Sequence, residues 1–234
     1  MSAALRVDNL HYRYPDGQVA LSGLSLEVAE GETLGLVGPN GAGKSTFLLH
    51  LNGLLRGQGA LEVCGLPLTG KNLQQIRRLV GLVFEDPQDQ LFMPTVFDDV
   101  AFGVLNLGLG AAETRERVER ALEAVRISDL GERAPHRLSL GQRKRAALAT
   151  VLALDCEILA LDDPTGGLDP AGREEFLRLL AGLPQTKLIA THDLGMVRSL
   201  CSRAALMDGG RIVAVGPPEE LLSALGLLKA HRLA

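Results

Sequence analysis

Aromatic residues and cysteines are scarce in this sequence. Its 234 residues include no tryptophan, two tyrosines and six phenylalanines, so the hydrophobic core must be mostly aliphatic. The three cysteines, Cys64, Cys156 and Cys201, are far apart, odd in number and form no CxxC pair. This pattern gives no disulfide framework and favours reduced thiols in a cytosolic protein.

Long hydrophobic runs and clusters of one charge are also missing. No stretch reaches the ~18 consecutive apolar residues that a membrane-spanning helix requires, because the most apolar candidate, 151–161, contains Asp155 and Glu157. Residues 1–10 include no apolar signal segment. Lysine and arginine number 24 against 28 acidic residues, and the lack of a long basic run argues against nucleic-acid binding. A role at a membrane would therefore require a membrane partner.

The rest of the composition is that of a globular protein. Hydrophobic residues make up 46% and charged residues 22% of the chain, with no low-complexity linker and no internal repeat. A chain of this length can bury a sizeable core without disulfides or metal ions. We therefore expect one domain that spans residues 1–234.

A glycine-rich segment at 38–46 has the pattern of a phosphate-binding loop (P-loop). It follows an apolar run at 33–37 and precedes a predicted helix at 44–54, which is the strand–loop–helix context that this motif needs. Backbone N–H groups would surround phosphate oxygens, Lys44 would reach the β- and γ-phosphates, and Ser45 would bind Mg²⁺. The predicted nucleotide-binding residues here are Gly38, Asn40, Gly41, Gly43, Lys44, Ser45 and Thr46.

A second group of candidate residues follows predicted strands in the last third of the sequence. Residues 158–161 form an apolar run that leads into Asp162 and Asp163, and a predicted strand at 187–190 precedes His192. In a parallel α/β sheet, ligands bind beyond the carboxyl ends of the strands. Asp162 is therefore predicted to hold Mg²⁺ through a water molecule.

The order of the predicted elements indicates an α/β fold. Alternating apolar residues around a turn at 15–17 predict antiparallel strands at the start of the chain. Strands and helices alternate after residue 155, which predicts a parallel sheet. We predict a P-loop NTPase (RecA-like) parallel-sheet core, an antiparallel β subdomain and an inserted α-helical subdomain at approximately 86–155.

A pentad at 138–142, Leu-Ser-Leu-Gly-Gln, follows the P-loop at a distance and precedes Arg-Lys-Arg. In this order the motifs resemble those of ATP-binding-cassette (ABC) ATPases, although that family usually has glycine where this chain has Leu140. A helix-capping box is the alternative explanation, because Ser139 precedes Gln142 by three residues. The resemblance implies that Ser139, Gly141 and Gln142 of one chain close over ATP held by the P-loop of another.

The same resemblance implies roles for three further residues. Asp163 stands where the family usually has the glutamate that acts as general base or positions the attacking water, and Asp163 is one methylene shorter. His192 matches the switch histidine, which senses the γ-phosphate and helps to orient water. Tyr14 resembles the aromatic residue that stacks on adenine, with Tyr12 as the alternative two residues away.

Residue 85 departs from the family pattern. The segment 80–87 resembles the loop in which a glutamine contacts Mg²⁺ and couples the nucleotide to the membrane partner, but here the residue is Glu85. A carboxylate still accepts a hydrogen bond from Mg²⁺-bound water, although it cannot donate one and adds negative charge beside a triphosphate. We place Glu85 in both the catalytic and the metal site, and predict that Glu85 and Asp163 slow hydrolysis at this chain's own site.

The segment 84–103 narrows the resemblance to the ATPase subunits of energy-coupling-factor importers, particularly the cobalt/nickel type. This implies an ATPase at the cytoplasmic face of the cell membrane, with ATP and Mg²⁺ as cofactors, that energises uptake of a cobalt or nickel ion or of a vitamin. Its partners would be a second ABC ATPase, in a homo- or heterodimer, a transmembrane coupling subunit that docks near 86–103, and a substrate-binding membrane subunit.

Two other functions are compatible with the same motifs. The chain could be the weakly hydrolysing, ATP-gated half of a heterodimer of cassettes, which Glu85 and Asp163 favour. It could also be a soluble ABC protein of cluster assembly or translation, although translation-type relatives usually carry two cassettes in one chain and this sequence has a single set of motifs.

Overall fold

A computed structural model describes residues 2–231, and the chain divides into two compact units. The first unit comprises residues 1–82, 157–163 and 184–234, and the second comprises residues 83–156 and 164–183. The helical subdomain predicted at 86–155 falls in the second unit. Among the described residues, no helix is both long and apolar enough to cross a bilayer.

The strands belong to two sheets. They are β1 (Ala3–Arg13), β2 (Val19–Ala29), β3 (Thr33–Val37), β4 (Gln58–Val63), β5 (Leu66–Pro67), β6 (Val80–Val83), β7 (Ile158–Asp162), β8 (Thr186–Thr191), β9 (Arg203–Asp208) and β10 (Arg211–Gly216). The helices are α1 (Lys44–Leu51), α2 (Leu73–Leu79), α3 (Val96–Leu105), α4 (Ala111–Ala124), α5 (Leu140–Leu152), α6 (Pro170–Gly182), α7 (Leu194–Leu200), α8 (Pro218–Ser223) and α9 (Leu225–Ala230).

The smaller sheet has the strand order β2-β1-β4-β5, and each neighbouring pair is antiparallel. Residues of β1 alternate between the two faces, so that Leu5 and Val7 are buried while Arg6 is exposed. Gly17 closes the turn between β1 and β2, with its N–H donating to the Tyr14 carbonyl at 2.9 Å and its φ at 93°. This is the predicted antiparallel β subdomain.

The larger sheet has the order β10-β9-β3-β8-β7-β6. Strand β3 lies parallel to both β8 and β9, β7 lies parallel to β8, and β10 is antiparallel to β9. Every residue of β8 is buried, as expected for a central parallel strand covered on both faces. The predicted α/β class with a parallel-sheet core is thus confirmed.

Helices α1 and α7 pack against this sheet within the first unit. Helix α1 contacts β7 and β8, and buries Phe47 and Leu51 completely. Helix α7 lies against β3 at Gly35, where an added Cβ would come within 2.8 Å of a Val197 methyl group. The bare backbone of Gly35 therefore lets α7 approach the strand closely.

The second unit contains helices α3, α4, α5 and α6, with two short 3₁₀ turns between α4 and α5. Thr95 caps α3, because its hydroxyl accepts a hydrogen bond from the Asp98 N–H at 3.1 Å. On α4 the apolar stripe of Val118 and Leu122 is buried, and the intervening charged residues are exposed. Helix α3 contacts α4 and α5, so these three helices form the core of the unit.

Candidate functional site

The P-loop follows β3 directly and its last residues begin α1, as the sequence predicts. Gly41 and Gly43 have φ angles of 80° and 101°, a conformation that glycine adopts without strain. An added Cβ at Gly38 would lie 2.1 Å from the Met207 carbonyl oxygen, and one at Gly43 would lie 2.4 Å from the Ala20 carbonyl oxygen. The loop therefore needs glycine at positions 41 and 43 for its backbone conformation, and at positions 38 and 43 for close packing.

Lys44 bends back over the loop. Its ammonium donates to the carbonyl oxygens of Gly38 at 2.7 Å and Pro39 at 3.0 Å. A loop that holds its lysine in this way already concentrates one positive charge beside the backbone amides of the helix start. Asn40 and Ser45 are exposed at this end of α1. The donor set suits a polyphosphate.

The strand ends bring the acidic candidates to the same sheet edge as the P-loop. In the parallel register Val37, the last residue of β3, lies opposite Thr191 of β8, and Asp162 of β7 lies opposite Ala190. The next residue after Val37 is Gly38, the first of the loop. Asp162, Asp163, His192 and the P-loop therefore share the carboxyl edge of the sheet, where ligands bind in this kind of fold.

Asp163 is nearly buried and tightly held. Its N–H donates to the Ala190 carbonyl at 2.8 Å, and its Oδ1 accepts a hydrogen bond from the Thr191 hydroxyl at 2.8 Å. The His192 Nδ1 lies 3.5 Å from the same Oδ1, while the His192 side chain itself is 70% exposed. The predicted water-positioning carboxylate and the predicted switch histidine are therefore neighbours.

The two tyrosines have different surroundings. The Tyr14 hydroxyl lies 2.9 Å from the hydroxyl of Thr46, a P-loop residue. The Tyr12 ring packs edge-to-face on His50, with ring centroids 4.8 Å apart, and on Tyr14 at 5.0 Å. Tyr14 thus contacts the P-loop directly, whereas Tyr12 contacts Tyr14 and His50.

His50 is a buried histidine beneath the P-loop helix. Its Nδ1 donates to the Thr46 carbonyl at 2.7 Å, and its Nε2 is buried without a hydrogen-bond partner among residues 2–231. Burial lowers the pKa of the His50 imidazole, an effect that the hydrogen bond to Thr46 partly offsets. The ring is therefore held neutral near pH 7, and it packs against Tyr12.

The pentad begins α5 in the second unit. The Ser139 hydroxyl accepts from the Gln142 N–H at 3.3 Å, and the Gln142 side chain accepts from the Ser139 N–H at 3.0 Å. The alternative capping role of these two residues is thus present in the structure. An added Cβ at Gly141 would meet only Leu168, at an ordinary 3.6 Å. Packing within the described part of the second unit therefore does not require glycine at position 141.

Leu140 finds room because residue 167 is glycine. An added Cβ at Gly167 would lie 2.9 Å from a Leu140 methyl group. The φ of Gly167 is 74°, which also favours glycine. The bulky residue that departs from the family pattern thus packs over a second glycine.

The loop that contains Glu85 is fastened to α5. The Glu85 side chain is exposed, and its backbone carbonyl accepts a hydrogen bond from the buried ammonium of Lys144 at 3.0 Å. The Gln90 side chain accepts from the Phe84 N–H at 3.2 Å and donates to the Ala147 carbonyl at 2.9 Å. Sequence reasoning missed both Lys144 and Gln90, because nothing in the local pattern pairs residues so far apart along the chain.

Thr191 was also missed as a site residue. It stands between a predicted strand and His192, so its position beside a candidate residue was the only sequence signal. The hydroxyl of this 1%-exposed residue contacts Asp163, and a buried hydroxyl at a strand end needs such a partner.

The residues present fit ATP and Mg²⁺. A loop whose packing leaves no space for side chains at Gly38 and Gly43, with a lysine folded over it, suits phosphate groups. Ser45 and Asp162 offer a hydroxyl and a carboxylate, the oxygen ligands that Mg²⁺ prefers. Magnesium is commonly held by one or two protein ligands together with substrate phosphates, so a larger cluster of acidic side chains is not needed.

A phosphate loop at the carboxyl edge of a parallel sheet, with two aspartates at the end of β7, which is separated from β3 by β8, defines a nucleotide-binding protein of the P-loop class. The family model described as "ABC transporter" matches residues 21–166. This is more than half of the chain, and the chain belongs to the ABC transporter family. It is 52% identical over 236 residues to a putative ABC transporter ATP-binding protein of Gloeobacter violaceus, covering 100% of this chain and 97% of that protein.

Two further relatives carry more specific names. The cobalt import ATP-binding protein CbiO of Rhodobacter capsulatus is 50% identical over 229 residues, covering 95% of this chain and 82% of that protein. The energy-coupling factor transporter ATP-binding protein EcfA of Methanocaldococcus jannaschii is 44% identical over 231 residues, with coverage of 96% and 83%. The predicted resemblance to the energy-coupling-factor branch is confirmed.

Solved structures confirm the fold. CbiO1 from Clostridium perfringens, part of the ABC transporter complex cbiONQ, superposes with a TM-score of 0.86 at 37% identity, covering 100% of this chain and 96% of that one. The ATP-binding cassette MJ0796, a dimer in a post-hydrolysis state bound to ADP and Pi, gives 0.82 at 26% identity, with coverage of 92% and 98%. The chain is thus an ATP-binding subunit of the transporter class and an ATPase coupled to transport.

Proposed function

We propose that this chain hydrolyses ATP to energise membrane import of a small substrate, a cobalt or nickel ion, with a vitamin as the alternative cargo. The observation that carries the ATPase assignment is the strand register that brings Asp162, Asp163 and His192 to the edge occupied by the P-loop. The names of the cobalt-import and energy-coupling-factor relatives support the importer assignment and the metal cargo.

Different residues of the first unit would bind the phosphates, the Mg²⁺ ion and the adenine of ATP. Gly38, Gly41 and Gly43 let the backbone surround the phosphates, while Lys44 leaves the loop carbonyls to bind the β- and γ-phosphates. Ser45 and Asp162 would hold Mg²⁺, which neutralises charge on the triphosphate when bound. Tyr14, fixed by Thr46 beside the loop, supplies the ring on which adenine stacks.

Asp163 and His192 act on the attacking water in this scheme. The Asp163 carboxylate accepts a hydrogen bond from the water and orients it, and His192 lies close enough to Asp163 to act with it on the γ-phosphate side. Glu85 is proposed to contact Mg²⁺-bound water, on the resemblance of its loop to the family pattern. The shorter Asp163 and the additional charge of Glu85 would both slow the reaction at this chain's own site.

The pentad serves a second cassette. Glycine is less favourable than alanine in a helix, by about 1 kcal/mol in the interior, and packing within the described second unit offers no reason for Gly141. Close approach of a phosphate from a neighbouring chain is such a reason. The dimeric form of a structural neighbour supports an arrangement of two cassettes, either identical or different.

An exposed aromatic patch marks the docking surface for the transmembrane coupling subunit. Phe92, Phe102 and Leu105 are 65%, 43% and 56% exposed, and the two phenylalanine rings pack edge-to-face at 5.1 Å. Asp99 holds the Phe92 segment by accepting hydrogen bonds from the Phe92 and Met93 N–H groups, each at 2.9 Å. A structural neighbour is part of an ABC transporter complex, which supports a membrane subunit as the occupant. This chain would then lie at the cytoplasmic face of the membrane.

A second candidate function is the weakly hydrolysing, ATP-gated half of a heterodimer. The observation that favours it is that Glu85 and Asp163 stand where the family usually has glutamine and glutamate. In that case Ser139 and Gly141 would complete the faster site on a partner cassette.

ATP turnover and ATP-dependent dimerisation of the pure chain test the proposal. We expect slow hydrolysis whose specific rate rises with protein concentration, and loss of both properties in Lys44→Ala. The matched control is Lys71→Ala, which changes an exposed lysine on the loop before α2. Hydrolysis that survives in Lys44→Ala would contradict the assignment, and high turnover by the wild-type chain would contradict the slow-site proposal.

The cargo needs a separate measurement. Cells that lack this chain should accumulate less radioactive cobalt or nickel, and the Lys71→Ala protein should restore uptake while Lys44→Ala does not. Unchanged uptake of both metals in the deletion strain would exclude the metal cargo.

A further inference from the structure

The hydroxyl of Thr191 occupies the centre of a short hydrogen-bond chain. It donates to Asp163 Oδ1 at 2.8 Å, and it accepts from the Asp193 N–H at 3.0 Å. A hydroxyl has one proton to donate. Because a carboxylate oxygen without a proton can only accept, that proton points at Asp163, and the orientation of the hydroxyl is fixed at both ends.

The groups on either side of this hydroxyl are themselves rigid. Thr191 is 1% exposed and ends β8, a strand paired on both sides. Asp193 caps α7 by accepting from the Met196 N–H at 2.9 Å. The backbone at Asp163 is tied to Ala190 and has a φ of 34°, which is unusual for a non-glycine residue. The hydroxyl thus joins two backbone segments that cannot easily move.

We propose that Thr191 is a positioning residue for the hydrolytic site, setting the direction of the Asp163 carboxylate and the place of His192 beside it. The proposal rests on the proposed function of Asp163 and His192 in hydrolysis. An aspartate side chain is one methylene shorter than the family's glutamate, so fewer of its conformations can place the carboxylate beside the attacking water. A hydrogen bond that fixes its rotamer therefore has a direct effect on the rate, since an error of ~1 Å in a reacting group costs ~100-fold.

The hydroxyl donates its one proton to Asp163 and would act on the reaction through that carboxylate. Its loss should therefore lower kcat and leave the KM for ATP nearly unchanged, because binding depends on the P-loop and Tyr14. A purely structural threonine would instead affect stability and both kinetic constants together.

The test compares Thr191→Val with Thr191→Ser. Valine has nearly the same shape without the hydroxyl, and serine restores it. We expect Thr191→Val to lower kcat by ~10-fold or more with KM within ~2-fold, and Thr191→Ser to recover most of the loss. The inference is overturned if Thr191→Val keeps the wild-type kcat, or if Thr191→Ser loses as much as Thr191→Val.

Thr186→Val is the matched control. Thr186 lies at the other end of β8, is 4% exposed, and its hydroxyl accepts from the Gly31 N–H at 2.9 Å. Its loss should lower the Tm by a similar amount without changing kcat. An equal fall of kcat in both variants would assign the effect to strand stability and overturn the inference.

A measurement without turnover separates this inference from the proposed function. In the nucleotide-free protein, the carboxyl ¹³C resonance of Asp163 should shift in Thr191→Val and return in Thr191→Ser. An unmoved resonance overturns the inference even where wild-type hydrolysis is absent. If the resonance shifts but the wild-type chain has no ATPase activity, the Thr191–Asp163 contact is supported and only the proposed hydrolytic function is contradicted.

Discussion

The ammonium of Lys144 donates a hydrogen bond to the backbone carbonyl of Glu85 at 3.0 Å. Lys144 is 4% exposed and belongs to the first turns of α5, directly after the signature pentad. The helix that carries the pentad is thereby fixed to the loop that carries the most divergent site residue. Because of this hydrogen bond, a displacement of α5 would also displace the Glu85 loop, and the reverse.

Lys144→Met should release the 84–90 loop from α5. Methionine keeps the length of the side chain and removes the donor, and a hydrogen bond from a charged group is worth about 1.5–3 kcal/mol. We expect amide hydrogen exchange of residues 84–90 to become at least ~10-fold faster. Lys71→Met, which changes an exposed lysine, is the control. Unchanged exchange in Lys144→Met would show that the contact does not hold the loop.

Gly38→Ala should disrupt the P-loop. The new methyl group would lie 2.1 Å from the Met207 carbonyl oxygen, so either the loop or β9 must shift. Overpacking of this kind costs about 1–3 kcal/mol of stability, and ATP binding should be lost because the phosphate-binding amides move. Gly182→Ala, where nothing lies within 4 Å of the new group, is the control. ATP titration calorimetry that gives Gly38→Ala a wild-type Kd would contradict the packing argument.

Tyr14→Ala should weaken ATP binding more than Tyr12→Ala. Stacking of a base on an aromatic ring is worth about 1–3 kcal/mol, so we expect the Kd for ATP to rise ~10-fold in Tyr14→Ala. Tyr12 packs on His50, and its loss should mainly lower the Tm. Tripolyphosphate has no base and should bind both variants alike. A larger loss of ATP affinity in Tyr12→Ala would assign the adenine contact to Tyr12.

Stability should fall below neutral pH because of His50. Burial holds the pKa of His50 below its unfolded value near 6.5. As the pH falls through 6.5 the unfolded chain therefore takes up a proton that the folded chain does not. His50→Asn keeps a donor for the Thr46 carbonyl but does not titrate. Thermal melts should show a smaller loss of Tm between pH 7.5 and pH 5.5 in His50→Asn. Equal losses would show that His50 does not contribute.

Local sequence patterns predicted most of the helices and strands well. Helix α1 begins at Lys44 as the pattern predicts, but it ends at Leu51 and not at the predicted residue 54. Helix α2 was missed, since Ile76 is its one fully buried residue and the neighbouring side chains are polar. Strands β4 and β5 were also missed, because β4 is formed by pairing with β1 and β5 by pairing with β4, and neither has a strong pattern of its own.

The site was predictable as a set of residues but not as a set of contacts. The P-loop and the aspartates after β7 follow from motifs and from the rule for strand ends. The contacts of Tyr14 with Thr46, and of Thr191 with Asp163, join residues 32 and 28 positions apart. These depend on strand register and on the unusual backbone of Asp163, and neither is visible in a local pattern.

The central claim is that Glu85 and Asp163 slow ATP hydrolysis at this chain's own site. Its most direct test is the kcat of Glu85→Gln and Asp163→Glu, with Glu132→Gln and Asp129→Glu as exposed controls that make the same chemical changes elsewhere. We predict that at least one of the two site variants hydrolyses ATP ~10-fold faster than the wild type or more, and that the controls do not. Turnover that rises in neither site variant would contradict the account.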